Sequence, residues 1–247
     1  MKQGKIAAII QARMGSRRLP GKVMREIGGK SMLEILVNRL KRSRQVSSIV
    51  VATTEKEEDD KIVEWAEKVG MVCFRGNEDD VLKRFIEASK AMNADIIVRV
   101  TADNPLTDPR LVDELIKAHL TSKADYTHCI GAPLGISAEV VNREVLEQIH
   151  SMAENAEYRE HVTLYIVEHP KLFKIDSVKA EHFSLNYPAL RLTVDTEEDL
   201  ELMRRLQEYL GELERLEIRE AVEFLAKHPE IREINAQVEQ KMPKVRK

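Results

Sequence analysis

Residues 5–22 read KIAAIIQARMGSRRLPGK, and this stretch decides the fold. Its first part, residues 5–10, is a short apolar run that predicts a buried β-strand. The remainder, residues 11–22, contains two glycines, a proline and four cationic side chains, and it predicts a loop. Because open parallel sheets bind ligands beyond the carboxyl ends of their strands, this loop is the first candidate binding element.

Short apolar runs alternate with amphipathic segments through the rest of the first half. We predict strands at residues 48–53, 71–74 and 95–100, and helices at residues 31–44, 56–69, 79–92 and 109–121. The first helix has Ser31 and Glu34 placed as a capping box. Alternation of this kind is typical of an α/β fold, so we expect a mostly parallel sheet with helices on both faces.

The second half is less regular, but no Gly/Ser linker separates it from the first. We predict strands at residues 126–130, 173–175 and 190–194, a turn-rich loop at 131–135, and one or two helices within 142–168. Two further helices are predicted at 197–211 and 217–228, followed by a polar, frayed tail from residue 230 to 247. The 247 residues are therefore expected to form one domain with an insertion in its second half.

The composition excludes several classes of protein. The 39 basic and 42 acidic residues give a net charge of −3, and only 4% of residues are aromatic, so nucleic-acid binding is not expected. Two cysteines exclude a disulfide framework and a four-thiolate zinc site. The longest N-terminal apolar run, residues 6–10, is too short for a membrane span or a signal peptide. We therefore expect a cytoplasmic protein without a membrane partner.

Charge is concentrated at the start of the chain, where the first 25 residues carry seven cationic side chains and no acidic one. The 11–22 loop is not a Walker A motif, because five residues separate Gly15 from Gly21 and Val23 stands where Ser or Thr would bind magnesium. No G-x-G-x-x-G follows a strand, which disfavours a dinucleotide site. The planar guanidinium group of arginine can pair with two phosphate oxygens, so residues 11–22 are interpreted as an arginine-rich loop that binds polyphosphate. The alternative is a basic surface loop.

Two aspartates follow predicted strands: Asp103 comes after 95–100 and Asp195 after 190–194. Mg²⁺ bound with a nucleotide usually takes one or two carboxylates, with phosphate oxygens and water completing its shell. The pair, facing a cationic loop, therefore predicts a magnesium–nucleotide site. Each residue has a structural alternative, since Asp103 could form an Asx turn and Asp195 could cap the helix at 197–211. Thr196 could cap that helix instead, which would leave Asp195 free.

Residues 9–22 resemble the opening signature of the sugar cytidylyltransferases, which include the CMP-KDO and acylneuraminate synthetases. The resemblance is greatest to the spore-coat polysaccharide cytidylyltransferase-like group, which carries Gln, as at Gln11, rather than Pro before Ala-Arg. Further pieces similar to that group occur in the same order along the chain, at residues 51–54, 74–77, 80–85, 99–106, 160–163 and 192–196.

The resemblance implies a nucleotide-diphospho-sugar transferase-like α/β fold, CTP as donor, Mg²⁺ as cofactor, pyrophosphate as product and a homodimer. It places the nucleotide-binding half at about 1–125, and the acceptor and dimer region with the returning metal strand at about 126–229. It assigns nucleotide binding to Ala12, Arg13, Gly15, Ser16, Arg18, Lys22, Arg75 and Gly76. Asp103 and Asp195 would bind the metal, and together with Arg13 and Lys22 they are the candidate catalytic residues.

The family also implies that CMP passes to the hydroxyl of a small acidic sugar, ulosonic or sialic in type, during surface polysaccharide biosynthesis. Glu139 and His161 are the candidate acceptor contacts, and His161 could equally be a helix-surface or dimer-interface residue. Two alternatives stay open. A uridylyl- or thymidylyltransferase acting on a sugar 1-phosphate would usually have a more glycine-rich opening loop, whereas Gly15 is the only glycine in residues 11–20. A non-catalytic nucleotide-binding scaffold would not need the metal carboxylates.

Overall fold

The structure is a computed structural model and describes residues 4–240. The strands are β1 (Ile6–Gln11), β2 (Glu26–Ile27), β3 (Lys30–Ser31), β4 (Ser48–Thr54), β5 (Val72–Gly76), β6 (Ile96–Thr101), β7 (Tyr126–Ile130), β8 (Glu139–Asn142) and β9 (Ile175–Lys179). The α-helices are α1 (Met32–Leu40), α2 (Asp60–Lys68), α3 (Val81–Ala91), α4 (Pro109–Ser122), α5 (Arg143–Met152), α6 (Ala156–Glu160), α7 (Leu164–Glu168), α8 (Glu197–Leu210), α9 (Ile218–Lys227) and α10 (Pro229–Arg232). Short 3₁₀ turns lie at Lys22–Met24, Glu57–Asp59, Ala180–Phe183 and Glu233–Asn235.

Seven strands form one sheet in the order β5-β4-β1-β6-β8-β7-β9, while β2 and β3 form a separate antiparallel pair. The strands β5, β4, β1 and β6 run parallel, and so do β7 and β9. Only β8 runs antiparallel to its neighbours β6 and β7. The predicted α/β fold with a mostly parallel sheet is therefore confirmed, with β1 between β4 and β6.

Apolar side chains cover both faces of the sheet. Because successive side chains of a strand point to opposite faces, Ala8 and Ile10 join one buried cluster and Ile9 joins the other. The first cluster packs against helices α1, α4, α8 and α9, and the second against α3 and α5. The prediction of helices on both faces is confirmed. Among residues 4–240, no helix combines the length and apolar character needed to cross a bilayer.

Side-chain caps fix where several helices begin. The Ser31 hydroxyl accepts the Glu34 N–H at 3.1 Å before α1, and Asp108 caps α4, which begins with proline. At α8, Thr196 and Asp199 form a capping box. Thr196 rather than Asp195 is thus the cap, and the Asp195 carboxylate is available for other contacts.

Three predictions for the second half are wrong. Strand β8, which lies between the loop predicted at 131–135 and the helices predicted within 142–168, was missed. The predicted strand at 190–194 is an extended segment with a single bridge from Arg191 to Leu134. Residues 142–168 form three helices rather than one or two. The predicted frayed tail is wrong for residues 230–240, because Ile231 and Asn235 are buried there. Residues 241–247 lie outside the described residues.

Candidate active site

Three distant segments meet at the carboxyl end of the parallel strands. Strands β1 and β6 pair with Gln11 opposite Thr101, which brings the loop after β1 beside the residues after β6. The Ala102 N–H donates to the Gln11 carbonyl at 2.9 Å, and the Val194 N–H donates to the Asp103 carbonyl at 2.8 Å. The 12–22 loop, Asp103 and Asp195 therefore lie at one edge of the sheet, where the sequence placed them.

Lys22 joins the two aspartates. Its Nζ lies 3.0 Å from Asp103 Oδ2 and 2.7 Å from Asp195 Oδ1, and it donates to the Val194 carbonyl at 2.9 Å. Only 9% of Lys22 is exposed, so the ammonium is enclosed by these acceptors. Gly21, immediately before it, has a φ of 67°, a left-handed conformation that favours glycine and turns the chain inward at this point.

The second oxygen of Asp195 is held by two arginines. Arg18 approaches Oδ2 at 3.0 Å and Arg191 approaches it at 2.7 Å. Burial would raise the pKa of Asp195, but the Lys22 charge and the hydrogen bonds from Lys22 and Arg191 hold that pKa below its ordinary value. Asp195 is therefore an ionised carboxylate surrounded by cations.

The loop after β1 is ordered by its own backbone. The N–H groups of Ser16 and Gly21 both donate to the Met14 carbonyl, at 2.8 and 2.9 Å, and the Met14 N–H donates to Asp59 at 2.6 Å. Leu19 is buried beneath the loop, and Ala12 is buried at its start. The side chain of Arg13 is 41% exposed, with Glu78 3.7 Å away, so it is accessible to a ligand.

The paired aspartates can supply ligands to a divalent cation. Asp103 Oδ2 and Asp195 Oδ1 both contact one nitrogen, so a single ion could reach both oxygens. Carboxylate oxygens are the donors that Mg²⁺ prefers. Within residues 4–240, no cluster of three or more His, Cys, Asp or Glu residues forms a complete metal cage. The residues fit an ion that takes its remaining ligands from phosphate and water, provided that Lys22 moves aside.

A second polar group lies next to this cluster, on strands β6 and β8. Glu139 pairs with Arg99, and it also accepts hydrogen bonds from the hydroxyls of Tyr126 and Thr163. Burial would raise the pKa of Glu139, but Arg99 and these hydroxyls lower it below its ordinary value. His161 ends α6 two residues before Thr163, and its ring makes no hydrogen bond with any residue from 4 to 240.

Sequence comparison identifies the family. A profile described as cytidylyltransferase matches residues 7–226. The chain belongs to the cytidylyltransferase family. It is 42% identical over 231 residues to the spore coat polysaccharide biosynthesis protein SpsF of Bacillus subtilis, covering 91% of this chain and 95% of that protein.

Two further relatives support the assignment. This cytidylyltransferase is 39% identical over 114 residues to the 3-deoxy-manno-octulosonate cytidylyltransferase of Geobacter sulfurreducens, covering 45% of this chain and 44% of that protein. A cytidylyltransferase of solved structure from Leptospira borgpetersenii is 32% identical, with a TM-score of 0.88, and the match covers 97% of this chain and 100% of that chain.

Some residues predicted to contact the nucleotide lie outside the cluster that Lys22 forms with Asp103 and Asp195. Arg75 donates to the carbonyls of Thr54 and Lys56, at 2.9 and 2.8 Å, and its Nη1 lies 2.6 Å from Asp60. It thereby ties down the loop after β4. A role for Arg75 and Gly76 toward the base or ribose stays a prediction.

Sequence reasoning missed three arginines of this cytidylyltransferase. Arg191 contacts Asp195, Arg99 contacts Glu139, and Arg84 packs under Gly76, where an added Cβ would lie 3.1 Å from the Arg84 Cγ. Burial, with Arg13 nearby, lowers the pKa of Arg84. Arg84 and Arg99 each have a buried Nε without a partner among residues 4–240. An arginine inside an apolar run, as in the β6 sequence IIVRVT, was the available signal for Arg99.

Proposed function

We propose that this cytidylyltransferase transfers CMP from CTP to a hydroxyl of an acidic sugar of the ulosonic or sialic type, with Mg²⁺ as cofactor. The observation that carries the proposal is the position of Lys22, held between Asp103 and Asp195 beside an arginine-bearing loop. That arrangement supplies cations for a triphosphate and carboxylates for a metal ion within one cluster.

The proposed reaction is a substitution at the α-phosphorus of CTP. The sugar hydroxyl oxygen forms the new bond to phosphorus, and the bond from phosphorus to the bridging oxygen of the β-phosphate breaks. Pyrophosphate leaves with that electron pair, and the hydroxyl proton passes to solvent. Such chemistry depends on positioning and on charge neutralisation, which Arg13, Arg18 and Lys22 would provide for the triphosphate.

Asp103 and Asp195 would hold the magnesium ion. When bound, Mg²⁺ polarises oxygen ligands and lowers the pKa of a coordinated hydroxyl. The cluster contains three cations, Lys22, Arg18 and Arg191, and three carboxylates, those of Asp103, Asp195 and Asp199. Since these charges balance, Lys22 can turn toward a triphosphate only when another cation takes its place between the aspartates.

The acceptor would lie along the polar group on β6 and β8. Arg99 is two residues from Thr101 on the same face of β6, and the Thr101 hydroxyl donates to Asp103 Oδ1 at 2.6 Å. The acceptor hydroxyl would therefore be close to the metal carboxylates. Because Glu139 already accepts from three side chains, we assign it the role of orienting Arg99, whose side chain is 20% exposed and would contact the sugar. His161 is the second proposed contact.

The names of the relatives support the acceptor class and the pathway. One relative acts on 3-deoxy-manno-octulosonate, an acidic sugar, and another belongs to the biosynthesis of a spore coat polysaccharide. We therefore propose that the product serves surface polysaccharide biosynthesis.

We also propose a homodimer formed through the region of about 126–229. Exposed apolar side chains on and after α5–α7 support this assignment, namely Met152, Val167 and Leu172. Sedimentation should give a dimer mass for the wild type and a monomer for Leu172→Glu. A monomeric wild type would refute this part of the proposal.

Calorimetric titration tests the donor and the cofactor without knowledge of the acceptor. CTP, UTP, ATP and dTTP are each titrated in Mg²⁺ and again in EDTA. We expect CTP to bind most tightly, and to bind more weakly in EDTA than in Mg²⁺. Preference for UTP or dTTP would move the proposal to sugar 1-phosphate chemistry, and no binding of any nucleotide would refute the proposal. A pyrophosphate-release screen over keto-sugar acids and neutral hexoses then tests the acceptor class.

A further inference from the structure

A buried guanidinium contacts the Asp195 oxygen that Lys22 does not use. The Arg191 side chain is 9% exposed, and its Nη2 lies 2.7 Å from Asp195 Oδ2. The same guanidinium forms a two-point contact with Asp199, with Nε 2.8 Å from Oδ1 and Nη2 3.0 Å from Oδ2. Planar pairing of this kind fixes orientation as well as charge.

Asp199 also holds the backbone of Asp195. Its Oδ2 accepts the N–H groups of Asp195 and Thr196, at 2.8 and 3.1 Å, and its side chain is fully buried. The main chain and the carboxylate of Asp195 are therefore both fixed from one residue, directly and through Arg191.

The C-terminal segment completes the support. Asn235 donates to Asp199 Oδ1 at 2.8 Å and to the Arg191 carbonyl at 3.1 Å, and Gln240 accepts from Arg191 Nη1. Both residues lie beyond position 226, where the match to the family profile ends. Arg191, Asp195 and Asp199 lie within the matched residues, and the C-terminal segment adds the two outer contacts.

Resting on the proposed function, we infer that Arg191 is a positioning residue for CMP transfer. Arg18 shares Asp195 Oδ2, but its side chain is 26% exposed and belongs to the loop assigned to the triphosphate. Arg191 is enclosed and stays on Oδ2 when Arg18 turns to the nucleotide. It thereby keeps Asp195 Oδ1 directed at Asp103, which is the orientation that a shared metal ion requires.

The test measures metal binding separately from turnover. Mn²⁺ affinity is read from the loss of its free-ion EPR signal when the metal is titrated with enzyme in the absence of nucleotide, because CTP itself binds Mn²⁺, and CTP affinity is measured in EDTA. For Arg191→Gln we expect at least tenfold weaker Mn²⁺ binding and at least tenfold lower kcat, with CTP affinity in EDTA and KM for CTP changed less than threefold. Arg191→Lys, which keeps one contact, should have a Mn²⁺ affinity and a kcat between those of Arg191→Gln and those of the wild type. Arg205→Gln, on the exposed face of α8, is the matched control and should equal the wild type.

Because Arg191→Gln leaves Asp199 buried without its partner, the double variant Arg191→Gln/Asp199→Asn is made in parallel. A further variant, Gln240→Ala, removes only the outer contact of Arg191. Each is checked by circular dichroism before assay. Wild-type Mn²⁺ affinity and kcat in the folded Arg191→Gln variant, or in the folded double variant, would overturn the inference. A wild type that neither binds CTP nor releases pyrophosphate would instead refute the proposed function, so the two failures are distinguishable.

Discussion

Replacing Lys22 by methionine removes the charge that separates Asp103 from Asp195 while keeping a side chain of similar length. The two oxygens that contact Lys22 are 3.0 and 2.7 Å from one nitrogen, so they lie at most 5.7 Å apart. Two unit charges at that distance repel by about 3 kcal/mol at an effective dielectric constant of about 20. The side chain of Asp103 is 28% exposed, and two arginines remain on Asp195. We therefore expect the free energy of unfolding to fall by about 2 kcal/mol at pH 7.

The pH dependence of this loss has a defined sign. In the wild type, the pKa of Asp195 lies below its ordinary value, so its stabilisation is present above the unfolded pKa and is lost as pH falls through the folded pKa. In Lys22→Met, repulsion raises the pKa of the carboxylate pair, so its destabilisation is complete at pH 7 and is relieved on acidification. The difference in unfolding free energy between the two proteins should therefore shrink between pH 7 and pH 4.

Thermal unfolding with and without Mn²⁺ provides the assay. A loss of about 2 kcal/mol corresponds to a Tm lowered by about 4–8 °C for a chain of this size. Because Lys22 no longer competes for the carboxylates, Mn²⁺ alone should raise the Tm of the variant more than that of the wild type. Lys90→Met removes an exposed pair with Glu147 and should change stability by less than about 1 kcal/mol. If Lys22→Met matches this control and does not respond to Mn²⁺, the described charge balance is wrong.

Three other predictions concern the same edge of the sheet and its support. Asp103→Asn and Asp195→Asn should each lower the rate of pyrophosphate release by about 10²–10³-fold, because several kcal/mol of charge stabilisation is lost; near-normal turnover of a folded variant would remove that residue from the metal site. Gly135→Ala should destabilise the protein by at least about 1–3 kcal/mol in urea unfolding, since Gly135 has a φ of 100° and the new Cβ would lie 2.4 Å from the Thr193 nitrogen. Arg39→Met should cost about 2–4 kcal/mol in the same assay, because it leaves three buried carbonyls without their donor; a loss below about 1 kcal/mol would contradict that role.

Periodicity predicted the first half of the fold because its elements are long and regular. Strand β8 escaped prediction because it has only four residues and begins with Glu139, whose charge is neutralised by Arg99 on the neighbouring strand. Residues 190–194 have the composition of a strand, but they bridge Leu134 only at Arg191, and Leu192 and Val194 belong to the same buried cluster as α8. The residues around β8 and around 190–194 do not indicate that Glu139 will pair with Arg99, or that Arg191 will bridge Leu134.

Site residues could be predicted where they come soon after the end of a predicted strand. Lys22, Asp103 and Asp195 could be placed together because each follows a predicted strand, although the segment before Asp195 is extended and is not a strand of the sheet. Arg191 could not be placed, because its role depends on Asp199 and on a C-terminal segment whose polar composition is typical of a frayed tail.

The structure also changes the meaning of the cationic block at the start of the chain. In the sequence it is a surplus of positive charge, yet Lys22 and Arg18 are already paired with carboxylates that come from more than 80 and more than 170 residues away. A triphosphate therefore meets cations that must exchange one set of anions for another, rather than an open positive surface. Such an exchange is neutral in charge only if a divalent cation takes over the released aspartates. On the proposed function, nucleotide binding and metal binding would therefore be coupled electrostatically through Lys22, and Asp195, which Arg191 contacts, would be the residue at which the two meet.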